Sequence, residues 1–155
     1  MPSEALAFER QWHVGLGVGL LQPKHADGLS LGVIGHAAYG LTDEFDARFT
    51  LGATQTRGTA PESRATWFSF STLGLSYKLD IIEWVPYLGV RAGFFRFEHA
   101  LPTYAKQGGS IGGMAGLDYS ITRNTALGAE VGYDALLPQG ALFTAVVRAE
   151  YRWGF

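Results

Sequence analysis

Residues 141–155 read ALFTAVVRAEYRWGF. One parity is Ala141, Phe143, Ala145, Val147, Ala149, Tyr151, Trp153, Phe155, and the other is Leu142, Thr144, Val146, Arg148, Glu150, Arg152, Gly154. Successive strand side chains point to opposite faces, so this stretch predicts one long strand with a wholly apolar face. At ~14 residues it exceeds the five or six usual in globular strands, and it suits a tilted membrane strand, which needs about 9–11 to cross the hydrocarbon.

The same period runs through seven more segments. Their apolar parities are Trp12, Val14, Leu16, Val18, Leu20 in the first strand and Leu29, Leu31, Val33, Ala37, Tyr39, Leu41 in the second. The third gives Phe45, Ala47, Phe49, Leu51, Ala53, and the fourth Leu73, Leu75, Tyr77 after a blurred start at Trp67, Phe68 and Phe70. The fifth gives Trp84, Leu88, Val90, Ala92, Phe94 before blurring at Phe95-Arg96-Phe97-Glu98. The sixth gives Ile111, Ala115, Leu117, Tyr119, Ile121, and the seventh Leu127, Ala129, Val131, Tyr133. Eight strands of about 11 residues fit in this chain with room for seven connections.

Those connections alternate in length. After even strands they are tight (residues 42–44, 80–83, 122–124), and after odd strands they are longer (22–28, 57–65, 99–109, 134–140). Short turns at one end and longer loops at the other define an up-and-down barrel, with both termini expected at the short-turn, periplasmic end. Residues 1–9 (MPSEALAFE) form a separate N-terminal segment and 10–155 the barrel. The segment lacks the basic start and apolar core of a signal peptide, so the chain is either cytosolic or a mature form with an initiator Met.

Composition narrows the function classes. The 155 residues hold no cysteine, 21 glycines and 17% charged residues, with a formal charge of −2. Without Cys there is no disulfide framework or thiol nucleophile. The slightly acidic balance argues against a nucleic-acid partner. No apolar run reaches the ~18 residues of a transmembrane helix.

Alternation alone does not separate a membrane barrel, apolar outside, from a soluble one, apolar inside. Three features favour the membrane. The apolar parity quoted above contains no Lys, Arg, Asp or Glu, and a Lys or Arg there would cost about 2–4 kcal/mol at the bilayer midplane. The other parity is rich in Gly, which leaves space for long charged side chains to reach across a narrow lumen but would weaken a water-facing sheet. Aromatics collect at the strand ends: Trp12, Tyr39, Phe45, Tyr77, Trp84, Tyr119, Tyr151, Trp153 and Phe155 towards the short turns, and Trp67, Phe94, Tyr133 and Phe143 towards the loops. That is the double girdle of a membrane barrel.

With these features the chain resembles the small eight-stranded outer-membrane β-barrels (OmpA-, OmpX- and OmpW-like) over residues 10–155. The terminal Trp153-Gly154-Phe155 after Tyr151 matches the family's aromatic-x-aromatic ending, although Glu150 stands where that signal often has Gly. Residues 84–93 (WVPYLGVRAG) are similar to a fifth strand of such barrels. The resemblance implies a Gram-negative outer-membrane location, a removed signal peptide and insertion by the barrel-assembly machinery. It does not imply one activity.

By parity, Asp46, Arg48, Lys78, Arg91, Asp118, Glu130, Arg148, Glu150 and Arg152 face the lumen, where burial requires pairing. Glu130 is expected to meet Arg148, with Arg91 or Arg48 completing a cluster. His13 and His36 face inward on neighbouring strands and read as polar filler with no carboxylate nearby; His25 and His99 fall in loops. Neither a metal nor a cofactor is expected. Two lipid A-modifying enzyme families use barrels of this size, but residues 130–135 (EVGYDA) hold neither the His nor the Ser of the deacylase signature, and no Asp-Ser pair occurs, so no catalytic residue is assigned. Lys24, Arg57, Arg64 and Lys106, set against Asp27, Glu62 and Asp134, make a basic loop-side rim suited to lipopolysaccharide phosphates. Residues 99–104 (HALPTY) are apolar enough to cap the barrel or touch a partner. The leading expectation is a monomeric, non-enzymatic barrel with a plugged lumen, serving envelope structure or surface contact through its loops. The alternatives are a narrow channel for small or hydrophobic molecules, as an OmpW-like barrel suggests, a lipid A-modifying enzyme, and a soluble ligand-binding barrel.

Overall fold

A computed structural model describes residues 10–24, 26–27, 30–58, 65–79, 83–98, 105–138 and 140–154, with backbone alone at 26, 27, 57 and 58. Eight long strands form the wall: β1 Trp12–Pro23, β2 Leu31–Gly40, β3 Phe45–Gly58, β4 Thr66–Lys78, β5 Trp84–Phe97, β6 Gln107–Ser120, β7 Thr125–Leu136 and β8 Ala141–Trp153. A two-residue piece, Ala26–Asp27, adds to the end of β3. Each strand pairs antiparallel with its neighbours in sequence, and β1 closes the ring against β8. Closure leaves no exposed ladder edge in the wall.

The short turns fall after β2, β4 and β6. Two are built alike: the Thr42 and Thr122 hydroxyls accept hydrogen bonds from the backbone N–H of Phe45 and Thr125, both at 3.0 Å. This local side-chain-to-backbone bond reverses the chain in four residues, as Thr in a tight turn does. Trp12 pairs with both Tyr39 and Trp153, so the wall begins and ends at this short-turn end. At the other end the ladder runs further than the sequence suggests. Pro23 still pairs with Leu142, Gln107 with Arg96 and Leu136 with Ser110, which places 107–109 and 134–136 in strands and not in loops. The apolar segment 99–104, the N-terminal segment, His25 and His99 lie outside the described residues.

The outward parity is apolar and exposed. Leu16, Leu31, Leu73, Val90, Phe94 and Val147 each expose more than half of their surface. Trp12 packs at a tilt against Tyr39 at 4.9 Å between ring centroids, Phe45 against Tyr77 at 5.1 Å and Trp84 against Tyr119 at 4.8 Å, three ring pairs at the short-turn end. Tyr151 and Trp153 make a fourth at 6.0 Å, and Tyr133 sits opposite Phe143 towards the loops. Phe155 lies outside the described residues. An exposed apolar band of this extent is far larger than a soluble monomer carries.

Candidate functional site

The interior is the most heavily determined part of the molecule. Asp46, Arg48, Lys78, Arg91, Asp118, Glu130, Asp134, Arg148, Glu150 and Arg152 are buried, five acids against five bases. Glu130 is the hub. Its Oε2 accepts from Arg148 at 2.6 Å, from the Tyr87 hydroxyl at 2.6 Å and from Arg48 at 3.0 Å, and its Oε1 faces Arg91 at 3.4 Å. The expected Glu130–Arg148 pair therefore forms, and both candidate arginines join it. Arg148 also donates to both oxygens of Asp118, at 2.7 and 3.0 Å. The Arg48 and Arg148 guanidinium carbons lie 4.7 and 5.0 Å from the centre of the Tyr87 ring, adding cation–π attraction. Lower down, Lys78 reaches Asp46 at 2.7 Å, and Ser76 also bonds Asp46.

Three residues depart from the sequence reading. Asp134 is in the wall of β7, not in a loop, and receives Arg91 through Nη2 at 2.6 Å and Nε at 2.9 Å. Its partner stands two strands away, which a local reading near Pro138 and Gly140 does not reveal. The histidines also have a carboxylate after all. Glu150 accepts from His13 Nδ1 at 3.0 Å and His36 Nε2 at 2.9 Å, and Arg152 Nε donates to it at 2.7 Å. Among the described residues no group of three or more His, Asp or Glu is arranged so that it could hold a metal ion.

One construction rule makes these pairs possible. Along four register lines a glycine on the middle strand separates two polar residues on the flanking strands: His36–Gly15–Glu150, Arg91–Gly112–Asp134, Tyr87–Gly116–Glu130 and Asp118–Gly128–Arg148. Flanking strands lie about 9.6 Å apart across two ladder steps, a gap that two long side chains span only if nothing projects between them. At each of these glycines a Cβ would collide with one of the two polar partners. The glycines of the inward parity are thus the floor over which the ion pairs meet.

Towards the loops the lumen changes character. Leu21, Ile34, Phe68, Phe70, Phe95, Phe97, Leu136, Leu142 and Val146 form a buried apolar cluster. Phe68 and Phe97 meet at 4.8 Å and Phe95 and Phe97 at 6.0 Å. This resolves both blurred stretches: Trp67, Arg96 and Glu98 are exposed, and the four phenylalanines point inward as a plug. The gap bounded by Ile34, His36, Thr50, Glu130, Val146 and Arg148 is too small for a water molecule. Lys24 and Lys106 are exposed at the loop end, while Arg64 and the side chain of Arg57 lie outside the described residues.

No protein-family model matches this sequence, and no curated protein does. Solved structures do match. The outer membrane protein OprG from Pseudomonas aeruginosa superposes with a TM-score of 0.70 over 95% of this chain and 97% of that one, at 12% identity. Neisserial surface protein A gives 0.65 over 94% and 96%, at 18% identity. The outer membrane enzyme PagL gives 0.58 over 89% and 97%, at 12% identity. The fold is therefore that of the small eight-stranded outer-membrane β-barrels, a fold that at least one enzyme shares.

Proposed function

We propose that this protein is an integral barrel of a Gram-negative outer membrane, inserted by the barrel-assembly machinery, and that it acts through its surface and not through its lumen. The observation that carries the reading is the double seal: a buried, paired charge network whose gap beside Glu130 and Arg148 is too small for a water molecule, overlaid by the phenylalanine plug. Moving an ion along this axis would require breaking several buried pairs at once, each costing about 3–5 kcal/mol. The protein serves envelope structure or surface contact, as a monomer, with Lys24 and Lys106 at the loop end meeting lipopolysaccharide phosphates. Planar-bilayer recordings of the refolded protein are expected to show no steady open current. A sustained current would overturn the sealed reading in favour of a narrow channel.

The fold shared with PagL supports a second reading, lipid A modification. Against it, residues 130–135 supply neither Ser nor His, and His13 and His36 both direct a ring nitrogen at Glu150 inside the lumen. A serine nucleophile needs an adjacent base at a surface that lipid can reach. Mass spectrometry of lipid A from expressing cells is expected to show no change in acyl-chain number.

A further inference from the structure

Of the charged side chains described in the eight strands, Arg96 is the one that faces outward. The others point into the lumen and are paired there, whereas the Arg96 side chain makes no hydrogen bond or ion pair with any described residue. Its level on the wall is informative. From Trp84 in the short-turn girdle to Phe94 is residues 84–94 of β5, the about 9–11 positions that cross the hydrocarbon, so Arg96 stands one outward step beyond it, where lipid phosphates lie.

Its neighbours on the same face are hydrogen-bonding groups. Directly across the ladder, Arg96 faces Ser69 on β4 and Gln107 on β6, and both are exposed. One row towards the membrane, Phe94 is flanked by Ser71 and Gly109, and beneath these Ala92 is flanked by Leu73 and Ile111. A Cβ at Gly109 or Gly113 would make no more than an ordinary van der Waals contact, with a neighbouring backbone oxygen at 3.8 and 3.4 Å, so an acyl chain can lie close against β6 beside Phe94 and Val90. Glu98 is one row further out, exposed, and repels a phosphate placed higher than Arg96.

We propose that Arg96, with Ser69 and Gln107, binds the phosphate of a phosphorylated, multiply acylated lipid of the loop-side leaflet, whose chain packs over Gly109 and Gly113. The proposal rests on the membrane reading above and gives its lipid contact a place on the barrel wall. Charge complementarity selects the headgroup: the guanidinium donates two parallel hydrogen bonds to phosphate oxygens, and the row of neutral donors completes the set.

The test is native mass spectrometry of the full chain in phosphatidylcholine nanodiscs doped with bisphosphorylated lipid A or with the same lipid after phosphatase treatment. The wild type is expected to retain the phosphorylated form about fivefold better, the upper range of an exposed ion pair. Arg96→Gln is expected to abolish the preference, Arg96→Lys to keep part of it, and Glu98→Gln to raise it. Equal retention of the two lipids by wild type, or an unchanged preference in Arg96→Gln, overturns the site. Folding of each variant is read from heat-modifiable gel mobility. If Arg96→Gln does not fold, Arg96→Lys and Glu98→Gln decide, and no change in either refutes the proposal. Failure of the wild type to enter any bilayer sinks the membrane reading itself and is distinguished by that same mobility shift.

Discussion

Replacing Glu130 with Ala removes the acceptor shared by Arg48, Arg91, Arg148 and the Tyr87 hydroxyl. The lumen is then left with four acids for five bases, none of them able to reach solvent without rearrangement. Asp118 still holds Arg148 and Asp134 still holds Arg91, so the loss falls mainly on Arg48, whose remaining carboxylate, Asp46, is 3.7 Å away. Breaking a buried pair on one side costs about 3–5 kcal/mol. With a guanidinium dependence of about 4 kcal/mol per molar, the unfolding midpoint in phospholipid vesicles should fall by about 1 M. Removing both charges in Glu130→Gln/Arg148→Met should cost less than the two single changes together, since four acids then face four bases. Glu44→Gln, in an exposed turn, should stay within about 0.5 kcal/mol of wild type. If Glu130→Ala unfolds where the wild type does, the network is not buried as described.

Two further changes probe the plug and the glycine floor. Phe70→Ala leaves a hole in the loop-side cluster and should destabilise by about 3–5 kcal/mol without opening a conducting path, because the ion pairs below remain; vesicle unfolding and bilayer recording check the two halves separately. Gly116→Ala places a methyl against the Tyr87 ring and should cost about 1–3 kcal/mol, whereas Gly113→Ala, on the open outward side of the same strand, should cost little in the same denaturation assay.

Much of the barrel is legible in the sequence because period two is a local property: a residue's face is fixed by its neighbours at ±2. The strands, the tight turns at Thr42 and Thr122 and the inward set from Arg48 to Arg152 all follow from it. What was illegible depends on register or on height. His36 meets Glu150 across Gly15 because β1, β2 and β8 align those three residues, and that alignment is a long-range fact. Asp134 is likewise placed by Arg91 two strands away. Phe68, Phe70, Phe95 and Phe97 blur the pattern because the rule of apolar outside holds across hydrocarbon. Beyond it, the outer face meets headgroups and the narrow lumen is better filled by aromatic rings. The glycines on the charged parity were the available signal for the ion pairs, since each marks a place where two partners meet over an empty position.

The orientation of the outward parity can be measured at one position. The chain has no cysteine, so Val90→Cys introduces a single thiol at a site 67% exposed midway along β5. A nitroxide attached there in a reconstituted bilayer should collide readily with dissolved oxygen and hardly at all with an aqueous nickel chelate, the reverse of a label at Glu44→Cys. Free collision of the Val90 label with the nickel chelate would mean that this face meets water and would contradict the account.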